Sequence, residues 1–178
     1  FPSKEEKTLT ALGKEFLGDD HPSEKNNSSR EEYSISHSIV AGERIVLTTV
    51  EGPAIVRGIH MQWQENKEEA GRDLLLRCYW DGEKEPSVIV PLHDFFGGGT
   101  QTFVLGKETN GWCYCYFPMP FQQIAVIEIE NSSEQDVYTV DLLLSLQRNA
   151  VLPTSLRRFH AWWHRDNETP VRHANWNA

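Results

Sequence analysis

A chain of 178 residues, 39% apolar and 11% aromatic, is the size of one domain and can furnish a sizeable core. Its formal charge of −9, from 17 Lys and Arg against 26 Asp and Glu, provides no basic stripe to neutralise phosphates, which excludes nucleic acid and disfavours anionic membrane surfaces as partners. No apolar run approaches the roughly 18 residues that span a bilayer. The chain begins at Phe1 rather than Met, as a processed or trimmed product would.

Residues 1 to 33 read as an arm. Leu9, Leu12, Phe16 and Leu17 fall at helical spacing, so a short amphipathic helix is expected there. Gly18 to Glu32 is polar, with Asn26, Asn27, Ser28 and Ser29, and reads as a loop. From residue 34 to 178 the expected unit is a single β-domain. Its strands are read over Ser34–Val40, Glu43–Val50, Ala54–Trp63, Asp73–Trp80, Ser87–Val90, Thr102–Leu105, Trp112–Phe117, Ile124–Asn131 and Val137–Gln147. Ala41-Gly42, Glu51-Gly52-Pro53 and Asp81-Gly82 supply turn chemistry between them. Parallel crossovers need a dozen or more residues, usually helical, and none separates these strands, so the sheets should be antiparallel. An all-β sandwich of about eight or nine strands follows, and that number favours a jelly roll over an immunoglobulin-like fold.

The strand at Trp112-Cys113-Tyr114-Cys115-Tyr116-Phe117 is apolar or aromatic on both faces. Such a strand is expected to be covered twice, by a loop, by the N-terminal helix, by another jelly roll or by another subunit. The three cysteines, Cys78, Cys113 and Cys115, make no disulfide framework. Cys113 and Cys115 are two apart in a strand, face the same way and are poorly placed to bridge each other. They read as small buried hydrophobes, which leaves the compartment open, with a periplasmic or secreted location ahead of a cytoplasmic one.

Several separate runs resemble glycoside hydrolase family 172. They are Glu51-Gly52-Pro53; Tyr79-Trp80-Asp81-Gly82; Pro86-Ser87-Val88 with Val90-Pro91-Leu92 and Asp94-Phe95-Phe96; Cys115-Tyr116-Phe117-Pro118-Met119-Pro120-Phe121; and Phe159-His160-Ala161 with Trp163, Arg165 and Asn167. The resemblance implies two consecutive jelly rolls, of which this chain is the first, assembled as a trimer or hexamer. It implies a retaining hydrolase acting on fructofuranose or arabinofuranose linkages. The two catalytic glutamates would lie in the second jelly roll, in a Trp-Trp-Gly-Glu-Gly-Asp run and a Gly-Thr-Gly-Thr-Glu-Asp-Tyr-Phe run. Neither run is present in these residues, so no catalytic residue is assigned here and the second jelly roll is expected beyond Ala178. His93 stands where the family commonly has Gly. Ser28 to Ser38 lacks the family's Ser-Tyr-Asp and Gly-Gly-Asn text.

Among the residues themselves, Asp94 closes a strand beside Phe95 and Phe96 and ahead of Gly97, Gly98 and Gly99, an arrangement suited to a carbohydrate edge. A structural role for Asp94, capping loop amides, competes with it. Asp81 is explained by its Asp-Gly turn, and Glu128, Glu130 and Asp141 by the wet faces of strands. Trp162, Trp163 and Arg165 can stack on a sugar, since aromatic faces offer flat apolar area; packing against a following domain is the alternative. Asp94, Phe95, Phe96, Trp163 and Arg165 are therefore the candidate substrate contacts. His160 and His164, four apart, lack the intervening Glu of a His-Glu-x-x-His zinc site, and neither a metal nor another cofactor is expected. A non-catalytic carbohydrate-binding or assembly module is the alternative to the hydrolase reading.

Overall fold

The computed structural model describes residues 30–63, 70–134, 136–148, 152 and 157–164. The expected N-terminal helix around Leu9, Leu12 and Phe16 lies outside the described residues. So does Arg165.

Eleven strands and two single helical turns follow one another in the described residues. The strands are β1 (Arg30–Ile39), β2 (Arg44–Glu51), β3 (Ala54–Trp63), β4 (Leu74–Trp80), β5 (Val88–Pro91), β6 (Leu105–Lys107), β7 (Cys113–Cys115), β8 (Met119–Phe121), β9 (Ile124–Asn131), β10 (Tyr138–Arg148) and β11 (Ala161–Trp162). The turns are α1 (Ala70–Asp73) and α2 (Leu92–Phe95). One sheet runs β1-β10-β3-β7-β6, with β8 also on β3, and the other runs β11-β5-β4-β9-β2. The neighbours β1-β10-β3-β7 and β2-β9-β4-β5 interleave early and late strands. That winding is the jelly roll, two Greek keys closed into a sandwich.

Alternation explains why these residues form strands. Along β4, Leu74, Leu76, Cys78 and Trp80 are buried while Leu75, Arg77 and Tyr79 are half-buried on the other face. β9 repeats the pattern with Ala125, Ile127, Ile129 and Asn131 inward. Facing them from the larger sheet are Val56, Ile59 and Met61 of β3 and Leu142, Leu144 and Leu146 of β10, all without solvent exposure. Each such side chain stabilises the fold by about 1.5–3 kcal/mol of burial.

The ladders are antiparallel throughout, with one exception. β11 pairs parallel with β5, Ala161 beside Val88 and Trp162 beside Ile89. The rule that parallel strands need a helical crossover concerns sequential strands; β11 reaches β5 from the far end of the chain, so it is not bound by it.

The doubly apolar strand finds its cover inside the chain. Cys113 and Cys115 face the core, whereas Tyr114 and Tyr116 lie on the other face yet are only 7% and 6% exposed. Their rings stack 5.1 Å apart, and His60 meets Tyr116 edge-on at 5.3 Å. The segment before β6 closes over them. The Tyr114 hydroxyl donates to the Thr102 carbonyl at 2.6 Å, and the Tyr116 amide donates to the Val104 carbonyl at 2.7 Å. The Thr102–Val104 segment and His60 thus contribute to the second layer.

Candidate functional site

Two structural nodes come from the most recognisable sequence runs. Asp81 adopts a left-handed conformation, φ 56°, one that short polar residues tolerate. Its Oδ1 accepts from the amides of Gln122 at 2.8 Å and Gln123 at 2.6 Å. Its Oδ2 is ion-paired with Arg158, whose Nε lies 2.5 Å away. Burial alone would push this carboxyl up. The Gln123 and Gln122 amides and the Arg158 guanidinium outweigh it and hold the carboxyl below the ordinary range. Next to it the Gly52 amide donates to Gln123 O at 2.6 Å, and Trp80 Nε1 donates to Phe159 O at 2.8 Å. The Glu51-Gly52-Pro53, Trp80-Asp81-Gly82 and Phe159-His160-Ala161 runs thus meet around the Phe121–Ile124 turn, and they hold it in place. Asp81 is a fastener, as the Asp-Gly turn implies.

The other node is α2 and its glycine loop. Pro91 ends β5, and the chain makes one helical turn at Leu92–Phe95. Gly97, Gly98 and Gly99 follow with φ of 94°, 59° and 91°, a left-handed run that only glycine adopts without strain. The amides of Gly97 and Gly98 are satisfied by the backbone carbonyls of Asp94, at 3.0 Å, and His93, at 2.8 Å. The Asp94 carboxylate is exposed. The loop amides are therefore closed by main chain, and the side chain is left facing water at the rim of the loop.

Phe95 and Phe96 do not share that rim. They are 7% and 3% exposed, with their rings edge-on to each other at 5.0 Å and Phe96 stacked on Trp63 at 6.3 Å. The helical turn breaks strand alternation and swings both rings inward, where they anchor the loop and offer no face to a ligand.

β11 brings tryptophans to the same edge. The Ala161 amide bonds Ser87 O and the Trp163 amide bonds Ile89 O, both at 3.1 Å, so the parallel register carries Trp163 alongside β5 toward Pro91 and α2. Trp163 is 43% exposed and Trp162 72%. Adjacent strand residues point to opposite sides, so the two rings do not make one cluster: Trp162 shares the outer face with Ile89. His160 and His164 flank this strand outside any helix, both exposed, and a helical His pair is not formed. Among the described residues no group of three or more His, Cys, Asp or Glu could hold a metal ion, and no helix is long and apolar enough to cross a membrane.

Sequence reasoning named Trp162 but missed Arg158 as the partner of Asp81. The signal available was the run of aromatic and basic residues from Arg157 to Trp163, which alternates too briefly to declare a strand.

A family profile described as GH172 domain-like matches residues 29–142. The chain belongs to the GH172 domain-like family. That GH172 match covers β1 to the start of β10 and ties the chain to a glycoside hydrolase family. No curated protein sequence matches the chain. A similar solved structure is that of Aeromonas hydrophila PliG, a periplasmic lysozyme inhibitor of g-type lysozyme, at 10% identity and a TM-score of 0.37; the match covers 70% of this chain and 93% of that one.

Proposed function

We propose that this GH172 domain is the first jelly roll of a retaining furanoside hydrolase and that the catalytic glutamates lie outside these residues. What supports the reading is membership of a glycoside hydrolase family, together with an exposed Trp163 alongside β5, the strand that leads into the Asp94 loop. A retaining mechanism needs two carboxyl groups about 5 Å apart, one a nucleophile and one an acid/base. The well-placed carboxylates of the described residues already have partners: Asp81 holds Arg158, Glu130 holds Arg77, and Asp73 accepts from Tyr138. Asp94 is left to line the substrate, with Trp163 and Arg165 as its companions. A second jelly roll and a homo-oligomer would complete the site.

Two measurements test this. Reading the coding sequence past Ala178 should show the two glutamate-bearing runs; a stop codon directly after Ala178 would sink the hydrolase reading. In the longer protein, proton NMR of a fructofuranoside or arabinofuranoside digest should show retention at the anomeric carbon.

A non-catalytic carbohydrate-binding or assembly module is the second reading, and Trp162 favours it, since its ring is 72% exposed on the edge strand of its sheet. Calorimetric titration with fructans and arabinans, alongside light scattering, separates sugar binding from self-association.

A further inference from the structure

The outer face of the five-stranded sheet carries one unbroken row of side chains. Trp162 lies beside Ile89, Ile89 beside Arg77, Arg77 beside Glu128 and Glu128 beside Val46, one residue from each of β11, β5, β4, β9 and β2. The two ends are open to water, Trp162 at 72% and Val46 at 52%. The middle is polar and pre-arranged. Arg77 donates Nε to Glu130 at 2.9 Å and reaches the same carboxylate through Nη2 at 2.8 Å. Tyr79 stands one row along on the same face, and Arg44 lies 4.0 Å from Glu130.

Two arginines against two glutamates make the patch locally neutral, so a charged ligand gains nothing from it. A protein partner is disfavoured as well, because interface cores are depleted of charge and ringed by polar groups. Here the order is reversed, with charges central and the aromatic at one end. A flat, neutral ligand rich in hydroxyls matches both parts. Its ring can stack on Trp162, and its hydroxyls can reach Arg77, which has five N–H donors, and the Glu128 carboxylate. Trp162 and Arg77 are two strand spacings apart, about 10 Å, a span that a disaccharide bridges.

We propose that this face is a second glycan-binding platform, separate from the Asp94 edge, with Trp162 as the stacking ring and Arg77 and Glu128 as the polar end. It rests on the carbohydrate reading above and adds a site to it. Such a platform would hold a stretch of the same oligosaccharide remote from the bond being cut.

The 178-residue chain is titrated with inulin-derived and arabinan-derived oligosaccharides of increasing length, following tryptophan fluorescence and, independently, calorimetric heat. Wild type should bind saturably, and more tightly as length grows until the row is spanned. Trp162→Ala should weaken binding about tenfold, the scale of one aromatic contact, and Glu128→Gln should weaken it too. Phe103→Ala, at an exposed aromatic that belongs to neither site, should leave binding intact. Unchanged melting curves for Trp162→Ala will show that the loss is not unfolding. Binding that survives Trp162→Ala and is lost in Trp163→Ala and Asp94→Asn overturns the platform alone. Absence of binding to every oligosaccharide overturns the platform and, with it, the carbohydrate role of this domain.

Discussion

Asp81 shows what one carboxylate contributes at a turn. It satisfies two backbone amides and an arginine from a segment far away in sequence, and hydrogen bonds to a charged group are each worth about 1.5–3 kcal/mol. Asp81→Asn keeps an acceptor and tolerates the left-handed backbone but loses the charge, so we expect a loss of about 2 kcal/mol by denaturant unfolding. Asp81→Ala should cost more, since it strands both amides. Because the folded carboxyl is held below its ordinary value, its contribution is complete above the unfolded pKa of about 4 and is lost as pH falls through the folded value. The Tm gap between wild type and Asp81→Asn should therefore be steady near neutrality and close below about pH 4. A gap that persists in acid counts against the ion pair. Asp94 is the opposite case. Its exposed carboxylate caps no loop amide, so Asp94→Asn should change stability by no more than about 0.5 kcal/mol. A variant that melts early would restore the capping role and remove the ligand-facing one.

Strands were legible where alternation is sustained and blurred where side chains compete with the ladder. β3, β4, β9 and β10 stand where Ala54–Trp63, Asp73–Trp80, Ile124–Asn131 and Val137–Gln147 put them. β1 begins at Arg30 rather than Ser34, because an edge strand with Glu31 and Glu32 exposed has no buried face to announce it. The strand read at Thr102–Leu105 is a turn. Thr102 Oγ1 accepts the amides of Val104 at 3.3 Å and Leu105 at 3.1 Å, a local bond that defeats β-propensity, and pairing starts at Leu105. The run from Trp112 to Phe117 is paired only over Cys113–Cys115, and after Pro118 the chain pairs again as β8. The exposure of Asp94 and Trp163 was legible because a charge or an indole at a strand end is out of keeping with a core. The burial of Phe95 and Phe96 was not, since one helical turn after Pro91 reverses which side they face. The covering loop makes its own prediction. Tyr114→Phe strands the Thr102 carbonyl and should cost about 1 kcal/mol, with hydrogen exchange rising first in residues 100–106. If exchange rises equally across the sandwich, the loop is not a separate layer.

The three thiols report on the molecule as one cooperative unit. Cys78, Cys113 and Cys115 are all buried and in no disulfide; burial pushes the Cys78 thiol far up and the Cys115 thiol to about 11. Only thiolate reacts readily, so a disulfide reagent at pH 8 should find no prompt site in the native protein and all three in denaturant. Prompt reaction of one thiol would mean that the core opens locally. The jelly-roll order has a further consequence, in time. β1 pairs with β10, Ile39 against Tyr138, and β2 with β9, Glu51 against Ile124, so the first strands to leave the ribosome have no neighbours until the last are made. At 5–20 residues per second that wait is roughly 5–20 s. Sheets built from such distant pairings also close slowly, on the order of milliseconds to seconds. Until then the nascent domain carries Leu47, Val50, Ile59 and Met61 uncovered, and its yield in cells should depend on the holding chaperones that meet it there.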